Sequence, residues 1–148
     1  MRVLFVCMGN ICRSPTAEGV MRHLIAQREL DGEIEVASAG TGGWHAGAPP
    51  DARATATARA RGIALAGEAR QVTRADFEDY DLLLAMDREN LGDLLAIAPP
   101  GTKHKVRMFL PDGCDVPDPY YGGSGGFEHV LDLVQDACER LLDDLAPH

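Results

Sequence analysis

No apolar run in the 148-residue sequence approaches the ~20 residues needed to cross a bilayer, so no membrane insertion is expected. The stretch Val3 to Met8 is too short for the core of a secretory signal. It leads into Gly9, Asn10 and Arg13 rather than a small-residue cleavage site, and a cytoplasmic location is expected. Basic charge is also scarce: 14 Lys and Arg face 23 Asp and Glu, for a net charge of -9. That balance argues against a nucleic acid or an anionic membrane as partner, since both need a basic surface that displaces counterions. Any anion must then be bound locally. The four cysteines, Cys7, Cys12, Cys114 and Cys138, include no Cys-x-x-Cys pair and no ladder of short spacings, which speaks against structural zinc and against a secreted disulfide framework. Repeats, low-complexity tracts and linkers are lacking too, and the length fits a single domain over residues 1–148.

What is present alternates between two periodicities. Arg2 to Val6 reads as a buried parallel strand that delivers Cys7 to its carboxyl end. Ser14 and Pro15 read as a helix start, a hydroxyl cap followed by proline, before Ala17, Val20, Met21, Leu24 and Ile25 recur at helical spacing. Residues 33–39 form a second strand and 40–50 a loop rich in Gly and Pro; Asp51 then caps a helix that stops at Gly62. Thr73 and Asp76 resemble a capping box, 82–86 a third strand, Asp87 a cap for the next helix and 106–110 a fourth strand. In the last helix Phe127, Val130, Leu131, Val134, Ala137, Cys138, Leu141, Leu142 and Leu145 share one stripe, which makes Cys138 a core thiol. Strands alternating with helices predict an α/β fold: a three-layer arrangement of a parallel twisted sheet with right-handed crossovers and helices on both faces, with ligands bound at the strands' carboxyl ends.

Cys7-Met8-Gly9-Asn10-Ile11-Cys12-Arg13-Ser14 lies at that edge, between a strand end and a helix start. A loop of this length can converge successive backbone N–H groups on one tetrahedral oxyanion, with the helix N-terminus adding its positive end. Arg13 adds a permanently charged fork that matches two phosphate oxygens. The same surroundings favour the thiolate form of a cysteine, and the Ser14 hydroxyl can donate to the sulfur. Asn10 suits a left-handed turn. The plainer alternative is a buried cysteine and a solvated arginine; the strand before, the helix after and the adjacent serine favour the oxyanion reading. A nucleotide-type phosphate loop is excluded, because the segment lacks the Gly-Lys that such a loop ends on.

A thiolate that attacks a phosphate ester needs an acid beyond the leaving oxygen. The long stretch 111–126 carries Asp118 in Val116-Pro117-Asp118-Pro119-Tyr120-Tyr121, where prolines stiffen the carrier and two aromatics can line a slot for a flat ring. Asp-Pro is equally a common turn dipeptide, so Asp118 alone stays open between acid and solvated loop residue.

Together these segments closely resemble the low-molecular-weight protein tyrosine phosphatases. Ser38-Ala39-Gly40-Thr41, Ala69-Arg70-Gln71, Ala85-Met86-Asp87 and Phe127-Glu128 look like further signatures of that family. The resemblance implies a four-stranded parallel sheet in the flavodoxin-like order 2-1-3-4 and hydrolysis of protein phosphotyrosine through a phosphocysteine on Cys7. It implies phosphoryl oxygens held by Arg13 and the loop Met8, Gly9, Asn10, Ile11, Cys12 and Ser14, with Asp118 as acid and then base. Ser38 would order the loop, and Trp44, Tyr120 and Tyr121 would line the rim, with Met8 and Ile11 as an apolar wall. Neither a metal nor another cofactor is implied. The implied partner is a phosphotyrosine protein, a bacterial tyrosine kinase being one candidate, with inorganic phosphate and other oxyanions as product or inhibitors. Cys12 would pair with Cys7 on oxidation and shield it, the alternative being simple packing. In one departure, Gly67 stands where the family often has a histidine tied to the Asn and Ser of the loop, so a thinner network is expected; the five histidines are read as solvated.

Two other activities share this fold. Thioredoxin-linked arsenate reductases need two further cysteines close together, and Cys114 and Cys138 are poorly spaced for that relay. Protein-arginine phosphatases tend to have threonine where Ile11 stands, which favours phosphotyrosine without deciding it.

Overall fold

The structure is a computed structural model that describes residues 1–119 and 125–146. Its centre is a parallel sheet of β1 (Arg2–Cys7), β2 (Glu35–Gly40), β3 (Leu82–Ala85) and β4 (Val106–Met108) in the order β2-β1-β3-β4, as expected. Among the described residues five α-helices surround it: α1 (Arg13–Gln27), α2 (Ala52–Arg59), α3 (Asp76–Asp79), α4 (Arg88–Ile97) and α5 (Gly126–Leu145). Among the described residues no helix is long and apolar enough to cross a membrane.

The two-residue period of β1 divides the core. Val3, Phe5 and Cys7 face the layer of α1 and α5, where they meet Met21, Val134 and Leu142; Leu4 and Val6 face the opposite layer with Phe77, Leu83 and Leu94. Phe5 and Phe109 meet edge to face at 5.4 Å between ring centres. Cys7 therefore ends the strand under α1. The sheet reverses its winding between β1 and β3, so the crevice that accepts ligands in such sheets lies between Cys7 and Asp87.

Several boundaries differ from expectation for physical reasons. β4 stops at Met108, although Phe109 N–H still donates to Ala85 at 2.9 Å. α1 starts at Arg13 with Cys12 in the cap position and no side-chain cap, because the Ser14 hydroxyl is engaged with the cysteine sulfur instead. Pro15 is tolerated there since the first turn's N–H groups have no partner within the helix. Asp51 and Asp87 do cap α2 and α4, accepting from Arg53 and Ala54 and from Asn90. Asp76 is 5% exposed and accepts two bonds from the Arg70 guanidinium, at 2.9 and 3.0 Å, and one from the Thr73 N–H at 2.8 Å.

Burial alone would raise the Asp76 pKa, but Arg70 and Thr73 hold it below the usual carboxylate range. A depressed native pKa stabilises the fold above the unfolded value of about 3.9, and the contribution disappears as pH falls through the native value. Asp76→Asn should cost about 1–3 kcal/mol in urea unfolding at pH 7, and the difference from wild type should shrink below about pH 4. A constant difference across that range would contradict the assignment.

Candidate active site

Cys7 sits at the carboxyl end of β1, 3% exposed, and the chain then curls around its sulfur. Asn10 takes the left-handed conformation expected of it, with φ of 57°, which brings its backbone N–H to 3.3 Å from Cys7 Sγ. The Ser14 hydroxyl lies 2.9 Å from the sulfur. The loop is laced to the segments beside it: Thr41 and Gly42 N–H, just past β2, donate to the carbonyls of Cys7 and Met8 at 2.8 and 3.0 Å, and Asp51 N–H, at the start of α2, to that of Ile11 at 2.8 Å. Gly40 is required at this seam, since a Cβ there would stand 2.6 Å from the Met8 carbonyl oxygen and 3.2 Å from the Asn10 nitrogen.

Arg13, 3% exposed, is neither solvated nor loose. One guanidinium nitrogen donates to Asp87 Oδ2 at 2.6 Å and to the Val116 carbonyl at 3.0 Å, while the other lies 3.8 Å from Asp118 Oδ2. Burial would weaken its charged form, but Asp87, Cys7 and Asp118 outweigh that and keep it charged. Asp87 thus serves twice, capping α4 with one oxygen and anchoring Arg13 with the other. The anchoring role is not legible from the sequence, where Asp87 reads as a helix cap and as part of a family signature, because the arginine it meets is 74 positions away.

The acid loop is pinned at the same point. Val116 is 1% exposed and donates its N–H to the Met86 carbonyl at 2.7 Å while its own carbonyl takes Arg13. Asp115 accepts from the Arg88 N–H at 2.9 Å. Two residues further, the one-third-exposed Asp118 side chain reaches the mouth. The cavity there is lined by Cys7, Met8, Gly9, Ile11, Cys12, Arg13, Trp44, His45 and Asp118. Trp44 is 70% exposed, at the expected rim position. Tyr120 and Tyr121 lie outside the described residues. His45, expected to be solvated, is half-buried and packs toward Gly9, where a Cβ would come within 2.9 Å of its ring. A second cavity, of about 420 Å³ at the amino end of the sheet, is lined by residues such as Arg2, Arg22, Glu35 and Tyr80 and lies away from Cys7.

Cys12 is buried against Ala54 and Phe127. Its pKa is pushed up to about 12 by burial and by the negative charge of Asp51, Cys7 and Asp118, against a smaller opposing effect of Arg53, so at neutral pH it is a thiol. Cys138 is fully buried, as expected.

Behind the loop no side chain enters the network from position 67. Gly67 leaves open space, with φ of +93° and no heavy atom within 4 Å of an added Cβ. Glu18 accepts from the Ser38 hydroxyl directly, at 2.7 Å. Glu18 was missed in the sequence because it sits on α1 among ordinary helical positions, with nothing local to mark it.

Residues 2–148 match the family model described as low molecular weight phosphotyrosine protein phosphatase. The chain is 47% identical over 146 residues to the low molecular weight protein-tyrosine-phosphatase YfkJ of Bacillus subtilis, covering 95% of this chain and 92% of that one. Among solved structures, a protein tyrosine phosphatase from Entamoeba histolytica superposes with a TM-score of 0.94 at 41% identity, over 98% of this chain and 96% of its own. The Drosophila arginine phosphatase gives 0.91 at 34% identity, over 99% and 98%.

Proposed function

Because the chain belongs to the low molecular weight phosphotyrosine protein phosphatase family, we propose that it hydrolyses protein phosphotyrosine in two displacement steps on Cys7. The observation that carries this reading is the convergence on one cavity of a sulfur, a buried guanidinium and a one-third-exposed carboxyl group.

In the first step the Cys7 thiolate attacks phosphorus in line with the phenolic oxygen. An S–P bond forms and the P–O bond breaks as the Asp118 carboxylic acid hands its proton to the departing oxygen. Arg13 and the amides of the loop from Met8 to Ser14 hold the equatorial oxygens, where charge is spread in the transition state. In the second step Asp118, now a carboxylate, takes a proton from water as that water attacks phosphorus. The S–P bond breaks and Cys7 leaves as a thiolate, with the Ser14 hydroxyl 2.9 Å away to receive the charge. Arg13 matches this task because Asp87 and the Val116 carbonyl hold its plane before substrate arrives.

Met8, Ile11 and the exposed Trp44 present an apolar mouth that suits a flat phenyl ring. The likeness to an arginine phosphatase supports a second reading, phosphoarginine as substrate on the same nucleophile. In the first reading the substrate is a cytoplasmic phosphotyrosine protein, with a bacterial tyrosine kinase as one partner of that kind. A panel of phosphotyrosine, phosphoarginine and arsenate separates the possibilities. The expected result is a kcat/KM for phosphotyrosine at least about tenfold above that for phosphoarginine, a gap of about 1.4 kcal/mol in transition-state binding, and no arsenate reduction. A preference for phosphoarginine would replace the tyrosine reading.

A further inference from the structure

Resting on Asp118 as the proton donor, we propose that Asp115 is a positioning residue for that acid. It ties the acid loop to the first amide of α4, so that the carboxyl group three positions later is held where the leaving oxygen arrives.

The first turn of a helix carries N–H groups with no partner inside the helix. In α4, Asp87 Oδ1 takes the Asn90 N–H at 2.7 Å and Oδ2 takes Arg13. The N–H of Arg88, at the first helical position, is left over, and Asp115 Oδ1 accepts it at 2.9 Å. A carboxylate suits that place twice, as an acceptor and as a negative charge at the positive end of a ten-residue helix. One helix end therefore engages two carboxylates from different segments. Asp87 fixes the oxyanion clamp, and Asp115 fixes the chain that carries the acid.

The stretch before Asp115 is tied only to itself. Gly113 N–H donates to the Leu110 carbonyl at 3.0 Å, and Cys114 N–H to Asp112 at 3.0 Å. Among the described residues, the bond to Arg88 is the one hydrogen bond that joins residues 111–115 to a helix or strand. Val116 follows, held through its N–H by Met86 and through its carbonyl by Arg13. Those bonds fix a point; with Asp115 held as well, the direction of the chain through that point is fixed, and Pro117 with its locked φ carries it on to Asp118. Three residues of extended chain reach about 10 Å, so a small swing at Asp115 is magnified at the acid. Misplacing a catalytic group by about 1 Å can cost about a hundredfold. Arg13 keeps both Asp87 and the Val116 carbonyl when Asp115 is changed, so oxyanion binding should suffer much less than proton transfer.

The kcat/KM values on p-nitrophenyl phosphate, phenyl phosphate and phosphotyrosine, with vanadate titration beside them, read this role. Asp115→Ala should lower kcat/KM about tenfold on phenyl phosphate and phosphotyrosine, but no more than about threefold on p-nitrophenyl phosphate, whose leaving group needs little help. The vanadate Kd should change by no more than about threefold. Asp115→Asn retains an acceptor for the Arg88 N–H and should stay within about threefold of wild type on all three substrates. Asp115→Glu keeps the charge at the helix end but lengthens the arm by one methylene. It should steepen the dependence on the leaving group as Asp115→Ala does, and it serves if Asp115→Ala does not fold. In an Asp118→Ala background, Asp115→Ala should lower kcat/KM no further, because its effect passes through the acid. An equal loss on all three substrates, a loss that persists without Asp118, or an Asp115→Glu variant indistinguishable from wild type would overturn the role of Asp115. Full activity of Asp118→Ala itself on phenyl phosphate would instead remove the reading of the acid beneath it.

Discussion

Cys7→Ser should lose p-nitrophenyl phosphate hydrolysis by roughly 10⁵ to 10⁶-fold, the scale on which covalent enzymes fall when their nucleophile is removed. The substitution changes one atom in a residue that is 3% exposed, so the surrounding loop should survive it. A hydroxyl in the same place, unlike a thiol, stays protonated at neutral pH, and its immediate partners, the Ser14 hydroxyl and the Asn10 N–H, supply no base to activate it. The variant should therefore still bind inorganic phosphate or vanadate, whose oxygens are received by the loop amides and Arg13. Isothermal titration with vanadate, run beside the activity assay, separates a lost nucleophile from a collapsed site. Measurable turnover with intact oxyanion binding would contradict a covalent intermediate.

Asp118→Ala should lower kcat by about 10² to 10⁴-fold while leaving KM nearly unchanged. The carboxyl group donates to an oxygen that becomes basic only as the P–O bond breaks, so its contribution belongs to the transition state and not to binding. The size of the loss should depend on the leaving group. p-Nitrophenol departs readily as an anion and needs little help; phenol and tyrosine are poorer leaving groups and should suffer most. Plotting log kcat against leaving-group pKa for wild type and variant should give a steeper slope in the variant, and parallel lines would assign the proton to another donor. Because Asp118 lies 3.8 Å from Arg13, the variant also removes a negative charge beside the oxyanion site, which should tighten vanadate slightly.

What the sequence disclosed and what it withheld divide along one line, the distance over which the cause acts. The β1 strand, the stripe of α5, the caps at Asp51 and Asp87 and the left-handed Asn10 follow from neighbours within a turn or a few residues, and all are present. The Ser14 cap failed because a buried sulfur next to the helix start competed for the same hydroxyl. The fourth strand was read two residues too long, since Phe109 and Leu110 are apolar because they pack under α5 rather than because they extend the ladder. The anchoring role of Asp87 and the contact of Glu18 with Ser38 depend on pairings across the sheet, between residues 74 and 20 positions apart. No local pattern encodes such meetings. His45 escaped for a related reason, as the room for its ring is left by Gly9 on a different segment.

The restraint of Arg13 by Asp87 and the Val116 carbonyl has a consequence for how tightly an oxyanion can be held. A long side chain frozen only on capture would surrender up to about 2 kcal/mol of rotamer entropy at that moment. Here the immobilisation happens once, during folding. Phosphate then meets a receptor that has little freedom left to lose, and a weakened junction between the acid loop and α4 would register first as a faster escape of the anion.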